Sequence, residues 1–574
     1  MTPSMTGALW ERTTVTDEAL SNAREQGLSE VVSRCVASRW APEDVSRTVF
    51  EPPSLDHLHD PHAMHNMAPA LDRLKKATHD GEPIRIITDY DVDGTTSSLI
   101  LQAGLSLSAP GHTLDYHIPN RLTEGYGFSV QAAEQAAAAG IKLIVTADIG
   151  VRDHAAVQRA RELGVDVLIC DHHLPAGESV PSDAIVLCPP QIDCDYPNPY
   201  LAACGVSLKV AQALLEGRPN ADAITKSLLK LAAVGTVADM VPLTSLENRA
   251  IVTLGLAELN RGPHSAGLSA LLNIAGLSEH IAASDLGFRI GPRINAAGRM
   301  ADASLIVRLL SCRDPEQAKV LAEQVEQHNR DRRELQDALI KRASEQLGTD
   351  AGSFVVVAGH ENDGWHRGVV GIVAAKMKDQ SHRSAAVISI HGEHAVGSIR
   401  AARGVHAVKA LESAEDLLIR FGGHPAAAGF TVPTKNIDAL RERLCAYVDA
   451  NASESLVARR TYDADVDAGE LVDRLHSELE SLGPFGQGNP SPRLVVRNVQ
   501  AQRVSLLGAA QKMVKFRIPR PGRDGLDAIW WDQAEHVPAL NSGTVDILGN
   551  LSENIYRGRR SLQMRVSDVR LSQP

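Results

Sequence analysis

A short apolar run, Ile84-Arg85-Ile86-Ile87, leads into Thr88-Asp89-Tyr90-Asp91-Val92-Asp93-Gly94, and a small, hydroxyl-rich run from Thr95 to Leu105 follows. Nothing else in the chain constrains its folding as strongly. The first run reads as a buried strand and the last as a helix. Three carboxylates therefore stand in the turn between them, beside a glycine that lets the backbone turn tightly. In a parallel α/β sheet this is where ligands bind, just beyond the carboxyl end of a strand. Carboxylates this close repel one another. A divalent cation is the usual remedy, and hard oxygen donors suit Mg2+ or Mn2+.

The pattern repeats. Leu114 to Ile118 is a strand that opens into a polar loop, Pro119-Asn120-Arg121 and Glu124-Gly125-Tyr126-Gly127, with glycine hinges. Ile141 to Val145 is a strand that ends in Thr146-Ala147-Asp148-Ile149-Gly150, and Val165 to Ile169 ends in Cys170-Asp171-His172-His173. Parallel strands present their ends on one edge, so these acidic and imidazole groups converge although they are far apart in sequence. Asp239 closes a later apolar segment and can join them.

Gly291-Pro292-Arg293-Ile294-Asn295-Ala296-Ala297-Gly298-Arg299 reads as a Gly-rich loop with two arginines. Asp314-Pro315 reads as the cap and first residue of a long charged helix that reaches about Leu347. A second α/β unit opens at Phe354-Val355-Val356-Val357. It carries Gly364 to Gly371, Gly397-Ser398-Ile399-Arg400 and Phe421-Gly422-Gly423-His424-Pro425. Glycines and cations beside strands or ahead of helices suit phosphate oxygens. From about residue 460 the pattern turns to β. Arg493–Val499, Met513–Ile518, Leu526–Trp531, Val545–Leu551 and Leu562–Val566 alternate apolar and polar residues. A small barrel of the oligonucleotide-binding (OB) type fits them, and a β sandwich fits nearly as well. Lys512, Lys515, Arg517 and Arg520 cluster on one hairpin. Trp365 reads as a core residue. Trp530 and Trp531 point to opposite faces of their strand, one toward the core and one free to stack on a base.

At 574 residues the chain exceeds one ordinary core, and three or four domains are expected. The net charge of −12 argues mildly against a nucleic-acid partner, but such binding needs a local basic groove rather than a basic total. The seven cysteines include no C-x-x-C pair and read as reduced thiols of a cytoplasmic protein. No apolar run approaches a membrane span, and Met1 to Arg12 lacks the pattern of a signal peptide. His57, His59, His62 and His65 crowd together, but Met64, Met67, Leu71 and Leu74 share one helical face, so these histidines read as structural.

In order along the chain, Asp89 to Gly94, Asp148, Asp171-His172-His173 and Asp239 resemble the four motifs of the DHH phosphoesterase superfamily. Gly422-Gly423-His424 resembles the signature of its associated second domain. Gly291 to Arg299, Trp365 to Gly371 and Gly483-Pro484-Phe485-Gly486-Gln487-Gly488-Asn489-Pro490 narrow the likeness to the branch that degrades single-stranded DNA from the 5′ end. The likeness spans about residues 50 to 570. With the patterns above, it predicts a multidomain α/β protein. A helical N-terminal lead-in (1–80) precedes a parallel-sheet DHH catalytic domain (81–310). A connecting helix (311–350) leads to an α/β DHH-associated domain (351–455) and an OB-type nucleic-acid-binding β-barrel (456–574).

The resemblance implies hydrolysis to 5′-mononucleotides with two Mn2+ or Mg2+ ions held by Asp91, Asp93, Asp148, His172 and Asp239, either Asp93 or Asp148 bridging them. It implies that His173 touches the scissile phosphate or the leaving oxygen, and that Asp89, Asp171 and Asn295 orient their neighbours. Arg299, Ser398, Arg400, Gly422, Gly423 and His424 are expected to bind phosphates. Single-stranded DNA, single-strand-binding protein and proteins of recombination and mismatch repair are the expected partners, and the expected state is a monomer. The alternatives are a superfamily phosphoesterase for short oligonucleotides or cyclic dinucleotides, and a scaffold without activity. Chain length disfavours the first and the intact acidic motifs disfavour the second. There is one departure. Many superfamily members carry a His four residues before the first Asp of their D-x-D pair; here that Asp is Asp91 and the position is Ile87. Asp89 or water is expected to complete the shell.

Overall fold

The four strands expected from sequence and a fifth, Ile185–Leu187, form a parallel sheet, in the spatial order Leu114–His117, Ile84–Thr88, Leu143–Ala147, Asp166–Cys170, Ile185–Leu187. Every neighbouring pair is parallel. The strands bury both faces. Ile84 and Ile86 share a core with Leu101 and Leu168, whereas Ile87 joins Phe128, Ala133 and Ile169 on the other side. Helices on both faces explain why these strands read as continuous apolar runs. From Ile84–Thr88 the chain first places Leu114–His117 on one side and then Leu143–Ala147 on the other. That reversal opens a crevice beyond Thr88 and Ala147, and the next residues are Asp89 and Asp148.

The computed structural model describes residues 3–41, 44, 52–121, 123–175, 177, 179–347, 352–452, 457–556 and 559–572. Two units form: Pro52–Arg333 with Pro484–Pro490, and Met1–Glu51 with Glu334–Gly483 and Ser491–Pro574. The division departs from a helical lead-in over 1–80. Residues up to 51 fall in the second unit, where the strand Leu9–Arg12 pairs in parallel with Arg459–Tyr462. Trp10 anchors it, buried, with its indole N–H donating to Asp568 Oδ2 at 2.9 Å and Arg570 lying 4.7 Å over its ring. A four-residue strand whose partner is so distant in sequence leaves no local signal. Pro484–Pro490 departs too: it packs in the first unit, where the Leu243 amide donates to the Gln487 carbonyl at 2.8 Å.

The Gly-rich segment expected as a loop is instead a helix, Gly291–Met300, entered through a π-helical turn at Leu286–Ile290. A Cβ at Gly298 would lie 2.7 Å from the Tyr90 carbonyl oxygen. Glycine there permits close packing, not a turn.

In the second unit a five-stranded sheet runs Arg420–His424, Ala427–Pro433, His394–Arg400, Ala385–His391, Val355–His360. Phe354, Ile388 and Phe430 pack on one face; Trp365 packs with Val357 and Val373 in a separate core. The terminal sheet has seven strands, ordered Ala464–Asp465, Leu494–Gln500, Thr544–Tyr556, Arg559–Leu571, Arg523–Trp530, Met513–Arg520, Gln502–Leu507. Trp530 is buried and Trp531 is 59% exposed. Part of the basic hairpin is neutralised internally, since Lys515 and Arg517 both pair with Asp527, at 2.7 and 3.2 Å. The 33-residue helix Pro315–Leu347 starts where Asp314 Oδ1 accepts the Gln317 amide at 2.7 Å. The N-terminal histidines go separate ways: His57 accepts the Ser54 amide, His59 meets Tyr196 edge-on and His62 pairs with Glu216. Among the described residues no helix is long and apolar enough to cross a membrane.

Candidate active site

The first acidic turn is built tightly. Asp91 caps the helix Val92–Ser108, its Oδ1 accepting the Gly94 amide at 3.0 Å. A Cβ at Gly94 would stand 2.3 Å from the Asp89 carbonyl oxygen, so only glycine admits that approach. Asp93 is fully buried. Its Oδ2 accepts the Ala203 amide at 2.7 Å and its Oδ1 the Cys204 amide at 2.8 Å. These amides open the helix Ala203–Leu214, whose positive end suits a carboxylate.

The other strand ends deliver the rest. Asp148 is buried and has a φ of 64°, a left-handed backbone that a non-glycine residue holds only under constraint. Asp171 serves as the frame of its turn. Its Oδ1 accepts from the His172 amide (2.7 Å), the His173 amide (3.1 Å) and His173 Nδ1 (2.8 Å), and its Oδ2 from the Val151 amide (3.1 Å). His172 Nε2 then stands 3.3 Å from Asp148 Oδ1, 3.6 Å from Asp239 Oδ2 and 3.8 Å from Asp93 Oδ2. Asp239 caps the carboxyl end of the helix Ala221–Ala238.

These side chains form three overlapping donor groups: Asp148, His172 and His173; Asp93, His172 and Asp239; and Asp89, Asp91 and Asp148. Within each group the ligand atoms lie within 4.8 Å of one another. Asp148 and His172 each belong to two. Ile87 lies in the core, and the Asp89 carboxylate stands with Asp91 and Asp148 instead.

The electrostatics are those of a cation site. Burial, then repulsion from neighbouring carboxylates, holds Asp89, Asp148 and Asp239 well above the usual carboxylate range. Burial also raises Asp93 and lowers His172, keeping its imidazole neutral. Among the described residues His172 Nε2 and Asp89 Oδ1 are buried without a hydrogen-bond partner. Hard oxygens, a neutral imidazole and unpartnered buried atoms fit divalent cations.

Arg299, on the helix Gly291–Met300, faces Tyr90, as does Arg121, whose guanidinium lies 5.2 Å from the Tyr90 ring centroid. Burial and Asp89 push the Tyr90 phenol up to about 12 against the pull of both arginines. Arg121 was not among the residues expected from sequence; its signal was only its place in the loop after a strand. Asn295 is half-buried on the Arg299 helix, and no hydrogen bond among the described residues ties it to the acidic cluster.

The remaining expected residues stand together in the second unit. Gly422, Gly429 and Ser398 form one row across three neighbouring strands, and His424, Ala427 and Arg400 form another. Arg400 Nη1 donates to Ser398 Oγ at 2.9 Å. A Cβ at Gly371, in the first turn of the helix Val370–Ser381, would meet Arg400 Nη2 at 3.1 Å and Ser398 Oγ at 3.2 Å. Backbone amides, a guanidinium and a hydroxyl thus converge, as a phosphate requires.

Comparisons with known proteins agree with this arrangement. Residues 83–236 match the DHH family N-terminal domain, 351–450 the DHHA1 domain and 462–568 the RecJ OB domain. The chain is 35% identical over 566 residues to the single-stranded-DNA-specific exonuclease RecJ of Bacillus subtilis, covering 97% of this chain and 70% of that one. It is 33% identical over 521 residues to the Escherichia coli exonuclease of the same name, covering 87% and 89%. The crystal structure of RecJ in complex with Mn2+ from Thermus thermophilus superposes with a TM-score of 0.83 at 27% identity, covering 99% of this chain and 80% of that one. The chain belongs to the RecJ family of single-stranded-DNA-specific exonucleases.

Proposed function

We propose that this protein hydrolyses single-stranded DNA from the 5′ end, releasing 5′-mononucleotides, with Mn2+ or Mg2+ at the carboxylate–histidine cluster. The observation that carries this reading is the overlap of three donor groups at the carboxyl edge of one parallel sheet. Asp91, Asp93, Asp148, His172 and Asp239 are the residues that would hold two ions, and Asp89 would serve where Ile87 offers no imidazole. When bound, such ions neutralise phosphoryl charge and make water a nucleophile at neutral pH.

The chain's own groups do the rest. The Ala203 and Cys204 amides fix Asp93. Asp171 takes the His173 Nδ1–H and favours the imidazolium, whose Nε2–H can meet the scissile phosphate or pass its proton to the leaving oxygen. Arg299, Ser398 and Arg400 bind phosphate oxygens, as do His424 and the backbone at Gly422 and Gly423. The terminal OB domain holds the strand by stacking and charge. We further assign single-strand-binding protein and recombination and mismatch-repair proteins as partners, the cytoplasm as the compartment and a monomer as the working form.

The test is digestion with Mn2+ of three substrates: a strand with a free 5′ end, one with a blocked 5′ end, and a blunt duplex. Mononucleotides should appear from the free 5′ end alone. Equal loss from the blocked strand, or equal rates on a dinucleotide and a long strand, would refute the reading. Asp93→Ala should abolish cleavage while strand binding persists.

A further inference from the structure

Asn248 stands in the first turn of the helix Leu246–Arg261. Asparagine is a residue type that mostly faces solvent, yet this one is fully buried. A buried amide must spend its hydrogen bonds inside the protein. Asn248 Nδ2 donates to two backbone carbonyls, Tyr200 at 2.7 Å and Pro242 at 3.1 Å. Its Oδ1 accepts from Asn198 Nδ2 at 2.9 Å, and Asn198 Oδ1 in turn accepts the Tyr200 amide at 3.1 Å. The neighbouring Glu247 has its own buried partners, Lys209 Nζ at 2.7 Å and the Tyr196 hydroxyl at 2.8 Å.

The two carbonyls belong to different stretches of chain, and each stretch leads to a different wall of the acidic cluster. Tyr200 lies three residues before Ala203, whose amide, with that of Cys204, holds the Asp93 carboxylate. Pro242 lies three residues after Asp239, just past Met240, whose φ of 62° marks the turn out of the helix Ala221–Ala238. Asp93 and Asp239, with His172, make up one of the donor groups. One side-chain nitrogen thus ties the chain that fixes Asp93 to the chain that carries Asp239. Groups that orient metal donors from outside the donor set govern affinity nearly as strongly as the donors do.

We propose that Asn248 is a positioning residue that sets the spacing of Asp93 and Asp239 for a divalent cation by bridging the Tyr200 and Pro242 carbonyls. This rests on the reading of the acidic cluster as a metal site. The test is calorimetric titration of the metal-free protein with Mn2+. Asn248→Asp keeps the shape but sets a carboxylate, which cannot donate, against both carbonyls. It should weaken Mn2+ binding by about 10- to 100-fold, the usual effect of losing a group that orients metal ligands. The added negative charge alone would tighten binding, so the two causes have opposite signs. Tyr196→Phe removes a bond of the same buried network at Glu247; it should lower the melting temperature and leave Mn2+ affinity unchanged. Unchanged or tighter Mn2+ binding by Asn248→Asp, or an equal loss in Tyr196→Phe, would overturn the proposal. In the wild type, Mn2+ should slow hydrogen exchange over residues 200–204 and 239–243 together. Slowing in neither stretch, or in one alone, would overturn the proposal whether or not Asn248→Asp folds. Failure of the underlying site would show differently, as wild-type Mn2+ affinity in Asp93→Ala.

Discussion

Replacing Asp171 by Asn tests the frame that holds the two histidines. Burial alone would raise this carboxyl. The hydrogen bond from His173, the two imidazoles and the Val151 amide outweigh burial and bring it to about 2, from an ordinary 3.8. The difference is about 1.8 pH units, and at about 1.36 kcal/mol each the ionised group stabilises the fold by roughly 2.4 kcal/mol at neutral pH. The folded value lies below the unfolded one. The stability is therefore present above about pH 4 and lost as pH falls through about 2, with roughly half remaining at pH 3. Asn cannot ionise, so the variant should lose about 2 kcal/mol at pH 7 and about 1 kcal/mol at pH 3. The assay is urea unfolding of the metal-free protein at both pH values, with hydrogen exchange at the Val151 and His172 amides as the local readout. Equal destabilisation at the two pH values, or none at either, would show that the frame does not work through charge.

In the metal-free protein, Asp148→Asn should raise the melting temperature at pH 8 while abolishing cleavage. The raised carboxyl of Asp148 makes its ionised form a cost that sets in above the ordinary carboxylate range and grows as pH rises toward the raised folded value; a lower melting temperature in EDTA would contradict this. Gly94→Ala drives a methyl into the Asp89 carbonyl and should weaken Mn2+ binding by more than about tenfold, measured by calorimetry. Chelation should stop digestion, and restored Mn2+ at a hundred times its Kd should stabilise the protein by about 2.7 kcal/mol. Trp530→Ala should cost about 3–5 kcal/mol, whereas Trp531→Ala should change stability by less than about 0.5 kcal/mol and instead weaken strand binding.

The parallel sheet and its acidic edge were legible because the signal is local. Three of its strands, Ile84–Thr88, Leu143–Ala147 and Asp166–Cys170, are apolar runs followed by residue types that a core rejects. The convergence of Asp93, Asp148, His172 and Asp239 followed from topology alone. Asp89 was harder to place: its side chain could frame its neighbours or join the ligands, and its carboxylate stands beside Asp91 and Asp148 while Ile87 packs into the core. Gly291–Met300 misled because glycine signals both a turn and a close approach, and the Tyr90 carbonyl that makes Gly298 necessary is distant in sequence. Leu9–Arg12 was missed because pairing across the length of the chain has no period to read. The charges on the strand Met513–Arg520 overstated the basic surface, since Asp527 on the adjacent strand pairs with both Lys515 and Arg517 and offsets one of their charges.

The passage of Pro484–Pro490 into the first unit bears on how the protein is made. Residues 52–333 leave the ribosome long before this segment, yet they complete their packing around Pro242–Thr244 only when Gly486 and Gly488 arrive against them. Asp239 lies three residues before Pro242. The packing around Pro242–Thr244 is thus finished late in synthesis, by a stretch of chain translated after the whole DHHA1 domain. A fragment that stops before Pro484 would carry every residue of the acidic cluster and still lack the segment that packs on Pro242–Thr244.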